Sequence, residues 1–268
     1  MRAARDAFET VNRAQRAALR SEGPSMLHSV TQSAARGVHA VRFARTLLSQ
    51  IHSPRAETVL ELEQLATRLA RPDDIDGYLQ AARSSPATER LLRERFLPAP
   101  YTLDSLARCA PGSLGHAYRN HMIENGLSAD FFPPIEPGSD DAYFRLRMYQ
   151  THDIWHALLA YPTNIEGEAG VIGFFLGHFD RHTGRDGHRI MGFAAILAAS
   201  LCMHAAIVDT SHLRPYFRAI IDGWYRGQRA LPLMAERWEE MWDVPVAELR
   251  ERYAIEPVET KRAFAEAS

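Results

Sequence analysis

Apolar residues recur along most of the chain at intervals of three and four. Over residues 54–69, Val59, Leu60, Leu62, Leu65, Ala66 and Leu69 fall on one helical stripe. Ser53 is placed as its N-cap, with Pro54 at the first helical position. The same pattern predicts helices over 3–20 and 37–52, and two short ones over 74–85 and 86–96. Residues 98–126 read as a loop, a short helix, a Pro-Gly turn and another helix. A long helix is expected at about 141–160, one more up to about 180, an apolar one over 190–208, and two or three further helices to Tyr253. Period-two alternation is scarce, and there is no internal repeat and no linker that splits the chain. The expected architecture is all-α: a single helical domain over 37–256, an N-terminal extension over 1–36 that is helical or partly disordered, and a C-terminal tail over 257–268.

The run IMGFAAILAASLCMHAAIV, residues 190–208, is the longest uncharged stretch. It approaches the ~20 residues that span a bilayer. Ser200, His204 and many alanines point instead to a central buried helix; lying against a membrane or lining a lipid tunnel is the alternative. The N-terminus has no apolar stretch of the kind a secretory signal needs. Its arginines suggest an organelle transit peptide, but Asp6 and Glu9 favour a short amphipathic helix. A hydrophobic fraction of 46% and a charged fraction of 24% suit an ordinary globular protein. The net charge of −2 argues against a nucleic-acid partner. Cys109 and Cys202 have no metal-type spacing and read as buried free thiols in a reducing compartment, hence a cytoplasmic location.

The segment THDIWHALLAYPTNIEGE, residues 151–168, carries the candidate chemistry. Successive helical residues advance by about 100°, so positions i and i+4 lie about 40° apart on one face. His152 and His156 can thus present two imidazoles to one ion, and Asp153 borders that face. Pro162 stops the helix, and the Pro-Thr-Asn turn supplies cap residues. An antiparallel helix pair would then return Glu168 to the histidine face. His152, Asp153, His156 and Glu168 form a two-histidine, one- or two-carboxylate set that suits Zn²⁺ or Fe²⁺. The bland alternatives are a solvated helix face or a capped turn. The apolar flanks argue against these, because unpaired charge beside buried surface is costly. Asp153 is too short for the glutamate of the H-E-x-x-H peptidases. His178, His182 and His188 read as loop residues rather than a second metal site.

His152-Asp153-x-x-His156, eleven residues and then Glu168 resembles the signature of the Coq4 family of ubiquinone-biosynthesis proteins. APGSLGHAY (110–118) resembles its Pro-x-Gly-Ser/Thr-Leu-Gly-x-x-Tyr element, and AYFRLRMYQTHD keeps the upstream tyrosine and arginine, here Tyr143 and Arg147. GQRALPL and ERWEEMWDVPVAELRERYAI resemble its C-terminal region. The likeness covers about residues 40–256, and the departures are residues 1–36 and the polar loop 180–189.

The resemblance implies an all-helical protein that binds a divalent metal, attaches peripherally to membranes, here the inner face of the cytoplasmic membrane, and handles a polyprenylated quinone precursor. It implies other quinone-biosynthesis proteins as partners, with a homodimer left open. The family is linked to replacement of the ring C1 carboxylate by a hydroxyl, an oxidative decarboxylation, and also to organising the biosynthetic complex as a scaffold. In the first role Asp153 would be a base beside the metal, or a ligand, and Arg147 would steady a carboxylate by bidentate hydrogen bonds. The alternative for Arg147 is a surface ion pair. The apolar helices at 170–179 and 190–208 are the candidate enclosure for an isoprenoid tail, and an apolar channel is expected between the motif helices and the 190–208 helix.

Overall fold

The described residues of the computed structural model are 26–128, 131–183 and 188–259, with side chains from residue 35. The helix expected over 3–20, and much of the expected extension and tail, lie outside them. Among the described residues there are α-helices and short 3-10 turns but no strand. The helices are α1 (Met26–His52), α2 (Ala56–Leu69), α3 (Pro72–Arg83), α4 (Pro86–Glu94), α5 (Leu114–Glu124), α6 (Asp140–Leu159), α7 (Ile165–His182), α8 (His188–Ile207), α9 (Leu213–Arg229) and α10 (Val246–Arg252).

Several starts follow local chemistry. Pro72 and Pro86 open α3 and α4 at positions whose N–H groups have no helical partner anyway. Ser113 caps α5 by accepting the His116 N–H. The start of α2 differs from expectation. Ser53 and Pro54 lie in the link after α1, and Arg55 occupies the cap position. The buried Gln50 side chain accepts the Arg55 N–H at 3.1 Å and pins this link without a Ser53 cap.

The main core is aromatic. Phe144, Trp155, Phe174, Phe179 and Trp238 all belong to it. A smaller cluster of Ala169, Leu201, Ala205, Tyr216 and Ala219 fills the space between α7, α8 and α9. Cys109 is buried and Cys202 only partly so; both are free thiols.

The apolar run does not form a central helix. In α8, Ile190, Ala194, Leu197, Leu201 and Ala205 are buried on one face, but Met203 is 45% and Ile207 70% exposed. The helix is long and apolar enough to cross a membrane, a property that core helices share. It is peripheral because α7 and α9 take the central position by packing directly on each other. Their contact uses glycines from both helices. A methyl at Gly173 or Gly177 would strike the carbonyl oxygen of Ile220 or Trp224, and one at Gly223 or Gly227 that of Gly170 or Phe174. Backbone thus packs on backbone, with no side chain between.

Gly223→Ala is expected to force α7 and α9 apart and lower unfolding free energy by about 1–3 kcal/mol. Gly192→Ala, on the open face of α8 with nothing within 4 Å of an added methyl, is expected to be neutral or to stabilise by up to about 1 kcal/mol. Urea titrations of the two variants make the comparison, and equal midpoints would contradict the close-packed reading.

Candidate metal centre

The site is built at the turn between α6 and α7. Ala160 ends α6 in the left-handed conformation (φ 61°), its N–H reaching the His156 carbonyl at 2.9 Å. Asn164 then caps α7, its side chain accepting the Gly167 N–H at 2.9 Å. The return is tight. A methyl at Gly167 would meet the Pro162 carbonyl, and one at Gly170 the Tyr161 ring. Glu168 therefore sits in the first turn of α7, where the helix dipole favours a carboxylate. Farther along, Trp155 of α6 packs edge-on to Phe174 and His178 of α7, with ring centroids 5.8 and 5.9 Å apart. Phe144 meets Phe179 in the same way at 6.2 Å. This aromatic layer sets the spacing of the two helices.

His152, His156 and Glu168 converge, with one ligand atom from each lying within 4.8 Å of the others. His156 Nε2 is 3.2 Å from Glu168 Oε1, and His152 Nε2 is 3.6 Å from Glu168 Oε2. Ligand atoms on a tetrahedral ion with bonds near 2.0–2.1 Å are about 3.3 Å apart. His156 is fully buried, and its Nδ1 lies 3.2 Å from the Tyr161 carbonyl oxygen, to which it donates. That bond selects the tautomer with a bare Nε2 lone pair. Nε2 is buried and makes no aligned hydrogen bond among the described residues, even to Glu168. A buried imidazole nitrogen held with its lone pair toward a carboxylate fits a metal ligand. The group could therefore hold a metal ion. Its open side is at His152 and Glu168, whose side chains are 34% and 37% exposed.

Asp153 stands behind His152 and outside this triplet, with Oδ1 3.1 Å from His152 Nδ1. A carboxylate there orients the ring of a ligating histidine. The charges shape one another. Burial pushes His152 down, but its hydrogen bonds to Asp153 and Glu168 and their charges outweigh this and raise its pKa to about 10. Burial pushes Glu168 up, yet the neighbouring His156 and His152 hold it well below the usual carboxylate range. Asp153 is likewise lowered against its burial by His152.

Arg147 lies on α6 with its guanidinium wholly buried, and it is committed internally. Nη1 and Nη2 donate to Glu239 Oε1 and Oε2 at 2.7 and 3.1 Å, and Nη1 also to Gln150 at 2.8 Å. The pair is buried, not the surface pair that was its alternative. His178 and His182 are helical residues of α7, not loop residues. His178 Nε2 accepts the Leu233 N–H, and His182 Nε2 donates to the Ala230 carbonyl. Part of the expected 180–189 loop lies outside the described residues. Between α7 and α8, where a channel is expected, Leu201 and Ala205 pack in one cluster with Ala169. Apolar surface beside the ligands lies elsewhere. Phe132 stacks on Tyr149 at 4.6 Å and meets the His152 ring edge-on at 5.8 Å.

Sequence reasoning did not find His121. From α5 it stacks on His156 with ring centroids 5.4 Å apart, and its Nε2 is buried without a hydrogen-bond partner among the described residues. Burial, with the nearby His156, lowers its pKa to about 4, so it is a neutral wall of the site. A lone histidine 31 residues before His152 carries no spacing signal.

The family model described as "Coenzyme Q (ubiquinone) biosynthesis protein Coq4" matches residues 39–259. The mitochondrial ubiquinone biosynthesis protein COQ4 of Lachancea thermotolerans is 26% identical over 228 residues, covering 81% of this chain and 63% of that protein. The mitochondrial COQ4 homolog of Anopheles gambiae is 27% identical over 194 residues, covering 68% and 62%. The chain thus spans less than two thirds of these relatives. A crystal structure from Nostoc punctiforme, of a protein provisionally assigned to ubiquinone biosynthesis, superposes with a TM-score of 0.63 at 26% identity, over 80% of this chain and 95% of that one.

The raised pKa of His152 has a measurable consequence. An unfolded histidine titrates near 6.5, so in the metal-free fold this pair contributes stability fully below about pH 6.5 and loses it as pH rises through about 10. Metal must displace that proton, so affinity should weaken about tenfold for each pH unit lowered between 8 and 6. Competition with a chromophoric chelator at pH 6, 7 and 8 measures it; a pH-independent affinity would mean that no proton leaves His152.

Proposed function

The chain belongs to the Coq4 family, and from that premise we propose that it is a metal-dependent enzyme of ubiquinone biosynthesis. Its substrate is a polyprenylated hydroxybenzoate-type precursor, whose C1 carboxylate is replaced by a hydroxyl. The observation that carries this reading is the His152–His156–Glu168 group, held rigidly at His156 and open at His152 and Glu168. The overall change balances as Ar–CO₂H + O₂ + 2 H⁺ + 2 e⁻ giving Ar–OH + CO₂ + H₂O. It requires dioxygen and an external two-electron donor.

Bound there, Zn²⁺ would supply Lewis-acid polarisation of the carboxylate and phenol oxygens, and Fe²⁺ would add oxygen activation. The protein's own residues do the rest. Glu168 and the two histidines set the donor geometry. Asp153 holds His152 in register and, kept ionised, can accept the phenol proton at its second carboxylate oxygen. His121 closes one side of the site as a neutral ring. Phe132 and Tyr149 offer an apolar flank for the start of an isoprenoid tail. Arg147 is a positioning residue; its buried pair with Glu239 fixes the roll of α6 five residues before His152. Quinone-biosynthesis partners and a membrane surface belong to the same proposal.

A second reading makes the ion structural in a non-catalytic lipid-binding scaffold. It is favoured by Asp153, a further carboxylate beside the group, 3.1 Å from His152 Nδ1. A fully protein-coordinated ion is the mark of a structural site.

His156→Ala separates the two. For the enzyme, the variant should lose metal and at least about a hundredfold in turnover, with the melting temperature within about 5 °C of the parent. A strain carrying only this variant should accumulate the C1-carboxylated precursor. For the scaffold, the melting temperature should fall steeply, because metal binding would be part of the folding energy. Normal ubiquinone production by a metal-free, folded variant would exclude both.

A further inference from the structure

α1 and α2 form a hairpin that buries Ile51, Leu62 and Leu65. One side of their seam is polar instead. Arg42, Arg45, Thr46 and Ser49 follow one stripe of α1, Thr58 and Glu61 one stripe of α2, and together they line a cavity of about 370 Å³. We propose that this cleft, remote from the α6–α7 turn, binds a phosphate monoester, either as a soluble compound or as a lipid headgroup.

Three observations carry the proposal. The first is the donor set, two guanidinia and three hydroxyls around one cavity. Guanidinium forks match phosphate oxygens, and hydroxyls complete the shell of a group with three acceptor oxygens. The second is Thr46. It is only 8% exposed and lines the cavity, yet its hydroxyl has no hydrogen-bond partner among the described residues. The hydroxyl oxygen itself is not sealed from solvent, so it is free to donate into the cleft. The third is Arg45, which has no ion pair among the described residues, whereas Arg42 is held by Glu61 at 2.6 Å. The first turn of α2 adds its positive end here, since Thr58 lies in that turn and no side chain caps it. Glu61 acts as a competitor, because an entering phosphate must share Arg42 with it. Val38, Val41 and Leu48 are exposed on the same helix, which is why a lipid is one of the two sources.

Isothermal titration with glycerol phosphate, and flotation with phosphatidylcholine vesicles with and without phosphatidic acid, test the cleft and separate the sources. Arg45→Gln and Thr46→Val should each weaken binding about tenfold, and Glu61→Gln should tighten it severalfold, because it frees Arg42 and removes a like charge. His156→Ala should leave binding unchanged, so the outcome does not depend on the metal centre. Binding of glycerol phosphate assigns a soluble ligand. Binding only to phosphatidic-acid vesicles, with the same variant pattern, assigns a headgroup. No binding by either probe, or affinities within twofold in Arg45→Gln and Thr46→Val, would overturn the proposal.

Discussion

The contact on which the rest depends is the glycine-to-backbone packing of α7 against α9. Gly173 and Gly177 meet the carbonyls of Ile220 and Trp224, while Gly223 and Gly227 meet those of Gly170 and Phe174. A contact without side chains cannot adjust by rotamer changes, so α7 is fixed in position and roll. Tyr161 then links this pair to the metal centre. Its ring packs on Gly170, its hydroxyl donates to Asp222 of α9 at 2.9 Å, and its carbonyl accepts the His156 Nδ1–H. Asp222 is itself held by Arg226 at 2.6 Å. The orientation of one imidazole of the candidate centre is thus set by residues more than sixty positions away.

The other side of the site is fixed through α6. A helix end leaves carbonyl oxygens without partners. Here the C-terminal part of the chain supplies them. Arg250 Nε donates to the Leu158 carbonyl at 2.7 Å, and the Val258 N–H to that of Leu159 at 2.8 Å. Glu239 holds Arg147 from the same region. A buried Arg–Glu pair adds little net stability over an apolar pair, but breaking one partner leaves a buried charge and is strongly destabilising. Its value here is geometric, since it allows one roll of α6. The Coq4-like segment 236–255 is therefore explained by support of the motif helix rather than by contact with the His152–His156–Glu168 group.

The electrostatics of the centre follow from burial and crowding. Two carboxylates and two imidazoles share a small volume beside the aromatic core. A proton on His152 balances the carboxylates in the metal-free state. A divalent ion would take the place of that proton with more charge and fixed directions. Asp153 and Glu168 are kept ionised by the same neighbours, so the site is poised for a cation without further rearrangement.

The sequence by itself determined the helices and the local half of the site. The spacing of His152 and His156, the stop at Ala160–Pro162 and the Asn164 cap act within a few residues, where backbone geometry leaves little choice. The antiparallel return expected after Pro162 brought Glu168 to them, and the family motif agreed. It misjudged the 190–208 run, because hydrophobicity reports what can be buried and not which helix wins the centre. That contest was decided by glycines spaced three and four apart on α7 and four apart on α9, a pattern visible in the chain but meaningful only once the partner helix is known. His121 on His156, Glu239 on Arg147 at a separation of 92 residues, and the polar α1–α2 cleft were decided by tertiary structure alone. Each joins residues on different elements, and only packing brings such groups within a few ångströms.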